Sequence, residues 1–276
     1  MKVAFQGEPG AYSEEACLRA FDDSVESVGY QTLDDVVSAL IRGEVEAAVL
    51  PAENSVAGTI ARTYELLLEY SLSIWRDVYQ PIRHNLLALP GVRLTDVKRV
   101  YSHPQALEQC HRFVEVHRFE PVPQLDTAGS ARMVAETGLR DAAAIASRRA
   151  AQLYGLQILA YDIQDLAGNT TRFFVVGLSP KGEIQGKAKV STVFSVPDVP
   201  GALYKTLGVF NERQLNLTKV ESRPDRMRHW RYLFYLDFEI EDATQAQSVI
   251  DELSARTEFL RVLGVYPSAE PNGNGL

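Results

Sequence analysis

The sequence predicts an α/β chain closed by a smaller α+β domain, and three observations carry that prediction. Strand-like and helix-like segments alternate over residues 2–176, a polar, glycine-bearing break follows at 177–189, and a βαββαβ order fills 191–266. At 276 residues the chain exceeds what one hydrophobic core usually serves, so two units are expected. With 46% hydrophobic and 23% charged residues it has the apolar material to build them.

In chain order, Lys2 to Phe5 reads as a strand, Ser13 to Ala20 and Asp34 to Arg42 as helices, and Ala47 to Leu50 as a buried strand. A second series begins near Asp77. It has a strand at Val97 to Tyr101, a helix at Gln105 to Phe113, a strand at Arg118 to Val122 and a helix at Ala128 to Glu136. The alanine-rich stretch Asp141 to Tyr154 is expected to be mostly helix after a short buried strand at Ala143 to Ile145. Strands at Leu156 to Ala160 and within Gly168 to Val176 close the region. Past the break come strand Ser191 to Val196, helix Gly201 to Glu212, strands Asn216 to Ser222 and Trp230 to Glu239, helix Ala243 to Ser254 and strand Phe259 to Tyr266. That order is ferredoxin-like, four antiparallel strands with two helices on one face. The residues from Pro267 are Pro, Gly and Asn rich and read as a disordered tail.

Bulk properties narrow the function. A net charge of −8 disfavours nucleic acid as a partner, because that affinity comes from neutralising phosphates. It also repels anionic ligands at long range, so any such ligand must be captured by local donors. No apolar run approaches the roughly 20 residues of a membrane span. The N-terminus lacks the apolar stretch of a secretory signal, so a cytoplasmic location with no membrane partner is expected. Cys17 and Cys110 have no partner spacing, and the five histidines show no ligand pattern. No phosphate-cradling glycine loop is present either, and no metal or organic cofactor is expected.

In a sheet with βαβ connections, ligands bind at loops that follow strands. Four such loops are rich in polar donors: Gln6 to Ser13, Pro51 to Thr59, Ser102 to Gln105 and Leu125 to Ser130. Together with the turn before the last strand of the region they contain Phe5-Gln6-Gly7-Glu8-Pro9-Gly10-Ala11-Tyr12-Ser13, Pro51-Ala52-Glu53-Asn54-Ser55, Tyr101-Ser102-His103-Pro104-Gln105-Ala106-Leu107, Asp126-Thr127-Ala128 and Asn169-Thr170-Thr171-Arg172-Phe173. Five such segments in order, each ending an expected strand, resemble the prephenate dehydratase family over about the first 180 residues. The resemblance implies a two-lobed α/β domain like the type 2 periplasmic binding proteins over 1–180. Lobe one is placed at about 1–76 and 160–180, lobe two at about 77–159. Residues 190–267 look like an ACT domain, leaving 268–276 as the tail. Its marks are Gly201-Ala202-Leu203-Tyr204 and Glu221-Ser222-Arg223-Pro224, motifs associated in dehydratases with phenylalanine at an interface between subunits. Tyr204 departs from the aliphatic residue commoner there.

The implied reaction expels a ring hydroxyl and carbon dioxide from prephenate to give phenylpyruvate. A protein performing it must hold a dianion and donate to a leaving hydroxide. On this reading Thr171 donates to the departing hydroxyl, with Arg172 as nearby positive charge and anchor and Asn169 beside them. Asn54, Ser55, Ser102, Gln105, Thr127 and Thr170 would hold the substrate with backbone N–H groups at helix starts. Glu53 would orient neighbouring donors. Threonine is a poor acid, so placement of the substrate must lower most of the barrier. L-phenylalanine, as allosteric effector, would be held by Gly201, Ala202, Leu203, Asn216, Glu221, Ser222, Arg223 and Pro224, in a homodimer or homotetramer.

Each segment has a plainer reading. Asn169 to Thr171 could form an ordinary turn, and Asn54, Ser55, Asp126 and Thr127 could simply cap helices. His103 beside Ser102 reads as a cap or wall residue, with no third member for a triad. Gly7, Gly10 and Gly58 read as turn glycines, and His84, His111, His117 and His229 as solvated or packed. Two other functions stay open: an arogenate dehydratase, which accepts the amino acid in place of the keto acid, and a non-catalytic amino-acid-binding sensor.

Overall fold

A computed structural model of the chain describes residues 1–21, 24–182, 184–225 and 231–269. They divide into two units, Met1–Leu66 with Val78–Phe173, and Leu67–Asp77 with the residues from Phe174 onward.

β1 (Lys2–Gln6) buries Val3, Ala4 and Phe5 completely and leads into α1 (Tyr12–Phe21). β2 (Glu26–Tyr30) pairs parallel to β1, a strand the sequence reading left out because Val28 is its one strong apolar residue. α2 (Leu33–Ile41) starts at a capping box between Thr32 and Asp35 and buries Leu33, Val36, Val37 and Leu40 at helical spacing. β3 (Ala47–Asn54) pairs parallel to β1 on the other side, then turns through β4 (Gly58–Thr59), which lies antiparallel to it. The expected loop at Pro51 to Thr59 is therefore a strand end and a hairpin. Pro51 is tolerated because it lies beyond the Ala47–Val49 register shared with β1. α3 (Ala61–Glu69) and β5 (Ser73–Pro81) follow.

A second sheet begins with β6 (Asn85–Ala88) and continues with β7 (Arg99–Ser102). The helix expected from Gln105 to Phe113 is two, α4 (Pro104–Gln109) and α5 (His111–Val116), separated at Cys110. β8 (Glu120–Pro123), α6 (Thr127–Thr137) and β9 (Ala142–Ala146) come next. β9 lies between β6 and β7 with all five residues buried, so alanine's helix propensity yields to the need for small side chains in a central strand. Only α7 (Arg148–Leu153) of the alanine-rich stretch is helical. β10 (Gln157–Ala160) completes a sheet ordered β10-β6-β9-β7-β8. β11 (Thr170–Gly177) returns to the first sheet, whose order is β2-β1-β3-β11-β5. These mixed sheets are the two lobes that the resemblance implies.

In the second unit β12 (Ala188–Ser195), α8 (Ala202–Glu212), β13 (Leu217–Pro224), β14 (Tyr232–Ile240), α9 (Ala246–Ser254) and β15 (Phe259–Pro267) form the expected βαββαβ order. The sheet runs β13-β14-β12-β15, antiparallel throughout. Phe194, Phe210, Phe238, Val249 and Leu253 make its core. Trp230, the expected start of the third strand, and residues 270–276 of the expected tail lie outside the described residues, as does His229. Among the described residues no helix is long and apolar enough to cross a membrane.

Candidate active site

A cavity of about 830 Å³ opens in the first unit, lined by loops at the carboxyl ends of its strands. The β1–α1 loop brings Gly7, Glu8 and Tyr12, the residues before α2 bring Gln31 and Thr32, and the β3–β4 hairpin brings Asn54 and Ala57 to Thr59. From the second sheet come His103, Gln105 and Gln109 around α4 and Asp126 and Thr127 at the start of α6. His84 lies before β6, and β11 contributes Asn169 at its threshold, then Thr171 and Phe173.

Five of the sequence-selected residues thus share one cavity: Asn54, Gln105, Thr127, Asn169 and Thr171. Four are not among its lining. Ser102 is fully buried and donates its hydroxyl to the carbonyl of Ile145 at 2.6 Å. Ser55 and Thr170 stitch β3 to β11, the Thr170 N–H donating to Ser55 Oγ at 3.0 Å. Arg172 is 4% exposed and holds Glu53 at 2.8 Å. His103 caps α4, its Nδ1 accepting from the Gln105 N–H at 3.2 Å. Gly7, Gly10 and Gly58 all have positive φ.

The polar groups form a chain. Asn54 Nδ2 donates to Asn169 Oδ1 at 2.6 Å and to Thr171 Oγ1 at 2.9 Å. Asn169 Nδ2 donates to Gln109 Oε1 at 3.0 Å, and the same oxygen meets His84 Nε2 at 2.9 Å. His84 Nδ1 is 2.9 Å from the Tyr12 hydroxyl. Burial drives the His84 pKa below that of free imidazole, the Gln109 bond working weakly against it. Burial likewise raises the Tyr12 phenol well above its usual range. Both groups are therefore neutral at pH 7.

Among the described residues the lining has no lysine or arginine. Its two carboxylates are engaged: Glu8 pairs with Arg132 at 3.1 Å, and Asp126 caps α6 by accepting from the Gly129 N–H. Beside apolar walls from Ile60, Ile82, Leu125 and Phe173, the cavity presents amides, hydroxyls and the first residues of α1 and α6, and helix starts offer unpaired backbone N–H groups. That inventory suits an anion bound without a formal countercharge.

Tyr12, His84 and Gln109 carried no expected role. Gln109 was within reach of the sequence, four residues after Gln105 and so on the same helix face. His84 was not, since its partners lie 25 and 72 residues away in the chain.

A family model described as prephenate dehydratase matches residues 3–181, and one described as ACT domain matches residues 190–258. This chain belongs to the prephenate dehydratase family. Arogenate dehydratase/prephenate dehydratase 1, chloroplastic, of Arabidopsis thaliana is 43% identical over 97% of this chain and 72% of that protein. The structure of a prephenate dehydratase with L-Phe from Arthrobacter aurescens is 30% identical with a TM-score of 0.86, covering 99% of this chain and 92% of that one. A structure described as GqqA, a novel type of quorum quenching acylases, is 36% identical with a TM-score of 0.88, covering 98% of both chains. As a member of its family the chain is a carbon–oxygen lyase carrying an ACT regulatory domain.

Proposed function

We propose that this lyase converts prephenate to phenylpyruvate, water and carbon dioxide in L-phenylalanine biosynthesis, without metal or organic cofactor, and that L-phenylalanine regulates it through the ACT domain. The observation that carries the reading is the state of Thr171. Its oxygen accepts from Asn54, which leaves its proton to be donated into a cavity of neutral donors. As the ring carboxylate leaves as carbon dioxide, its bonding electrons enter the ring and the C–OH pair departs with the hydroxyl. Thr171 stabilises that departing oxygen by a hydrogen bond and passes it its proton, taking one back from solvent water, so that the hydroxide leaves as water. Gln105, Thr127 and the helix starts hold the carboxylates, and Asn54, its amide fully engaged, orients Thr171. Ser55, Ser102, Thr170, Arg172 and Glu53 support the loops that carry these donors, and Asn169 orients Asn54.

Prephenate is favoured over arogenate because an ammonium group would have to compete for Glu8 with Arg132 and for Asp126 with the start of α6. The acylase described for one similar structure would need a nucleophile with an adjacent base, whereas Thr171 Oγ1 is bonded to the Asn54 amide. We assign residues 1–180 to catalysis, with lobe one at about 1–76 and 160–180 and lobe two at about 77–159, and residues 190–267 to the ACT domain. The buried free thiols Cys17 and Cys110 suit a reducing cytoplasm.

The phenylalanine site is assigned to the start of α8 and to β13. Gly201 there has φ 81°, and Glu221 bridges Lys219 at 3.0 Å and Arg223 at 2.8 Å. β13 is an edge strand with Val220 exposed, as an effector interface in a homodimer or homotetramer requires. One assay tests the whole reading. Purified protein is mixed with prephenate or arogenate, and phenylpyruvate is read by absorbance in alkali and phenylalanine by amino-acid analysis. Turnover of prephenate, slowed by added L-phenylalanine, is the expected result; turnover of arogenate alone would overturn it.

A further inference from the structure

The amides of the polar chain can be oriented one after another from a fixed point. The backbone N–H groups of Val56 and Ala57 reach Asn54 Oδ1 at 3.0 and 2.9 Å, and a backbone N–H can only donate. That atom is therefore oxygen, and the amide's other arm is the donor facing Asn169 and Thr171. Asn169 must then accept through its oxygen and donate through Nδ2 to Gln109, which makes the inward Gln109 atom oxygen as well. His84 Nε2 faces that same oxygen, so it must carry a hydrogen. Nδ1 of the neutral ring is left as an acceptor, and the Tyr12 hydroxyl lies against it. The single phenolic proton is shared with the carbonyl of Arg83 at 2.8 Å.

With its oxygen held by two donors, Gln109 turns its amide N–H₂ away from them, and its side chain lines the cavity. We propose that His84 is a positioning residue of this site: held in the Nε2–H tautomer between the Gln109 oxygen and the Tyr12 hydroxyl, it joins Asn169 in fixing Gln109 with its amide nitrogen as a donor to the anionic substrate. This rests on the dehydratase reading for the substrate, but not for the tautomer. A histidine that merely fills space, as its 2% exposure alone would suggest, needs no particular tautomer. In the alternative Nδ1–H form, Nε2 would set a lone pair against the Gln109 oxygen, leaving Asn169 alone to hold the amide against a flip. The flipped amide would aim an acceptor at a carboxylate.

The test has a spectroscopic arm and a kinetic arm. In the full chain labelled with ¹⁵N-histidine at pH 7, the His84 ring should be neutral with hydrogen on Nε2, and Tyr12→Phe should leave that tautomer in place because the Gln109 oxygen still faces Nε2. A wild-type ring that is charged, or protonated on Nδ1, overturns the proposal. His84→Gln places an amide N–H where Nε2–H stood and should keep the KM for prephenate within about threefold. His84→Leu should raise KM about 10- to 100-fold, the loss of one hydrogen bond to a charged group. Equal effects of the two variants, or no effect of either, also overturn it. If His84→Leu does not fold, the tautomer result and the Tyr12→Phe variant decide. Failure of the wild-type enzyme to turn over prephenate would strike the dehydratase reading and leave the tautomer assignment standing.

Discussion

The donor role proposed for Thr171 leaves its proton free while Asn54 donates to one of its lone pairs, and two backbone N–H groups fix the Asn54 amide for that contact. Thr171→Ala should therefore lower kcat about 100- to 1000-fold, the range for removing one group that stabilises a leaving or developing oxyanion, with little change in KM. Thr171→Ser should keep most of the activity. The phenylpyruvate assay separates these outcomes, and an alanine variant with wild-type kcat would remove the donor role. Asn54, Gln105, Thr127, Asn169 and Thr171 were legible in the sequence because each is a polar residue at the end or start of a strand or the start of a helix. Ser102 and Thr170 share that signature, yet the structure turns their hydroxyls to backbone carbonyls, a choice set by tertiary neighbours and invisible in local sequence. Gln109 and His84 acquire meaning only through partners from distant segments, which no local pattern announces.

Among elements, the chain from β1 into α1 shows how tightly the cavity wall is built. Gly10 has φ 92°, and a Cβ added there would lie 2.9 Å from Ala150 Cα in α7. The same turn is bolted down by Ser147 Oγ donating to the Gly10 carbonyl at 2.7 Å and by the Gly10 N–H donating to Glu14 Oε2 at 2.7 Å. Glu14 is itself paired with Arg149 at 2.6 Å, so backbone and side chains of α1 and α7 form one joint. Gly58 has a similar φ of 82° but open space around its Cβ position. The two glycines read alike in sequence, and the structure separates them. Gly10→Ala should destabilise by about 3 kcal/mol, conformational strain plus a backbone clash, while Gly58→Ala should lose about 1 kcal/mol from conformation alone. Urea unfolding of both variants checks this, and equal shifts in midpoint would show that the Ala150 contact is not limiting. Elements with strong apolar periodicity, such as α2, were readable to within a residue or two. β2 was not, because its stability comes from pairing with β1 rather than from its own hydrophobicity.

On the scale of the whole molecule, the order of the C-terminal elements was plain from βαββαβ spacing, but the segment 67–77 that joins them in one unit was not. A feature of that unit explains why. Asp77 and Lys189 are 112 residues apart in the chain and meet at 3.0 Å with side-chain exposures of 0% and 3%. Each alone looks like an ordinary surface charge, and only the fold reveals a buried ion pair. Taking both charges out of water is costly, so the pair adds little net stability, yet each partner is indispensable to the other. Lys189→Met should thus destabilise by about 3 to 5 kcal/mol, because an ammonium group that balances a buried carboxylate is removed. The double variant Asp77→Asn, Lys189→Met removes both charges and should recover at least half of the loss. Urea midpoints of the two single variants and the double variant decide the matter. Losses that simply add would mean that water reaches the carboxylate once the ammonium is gone, and that the pair acts by packing alone.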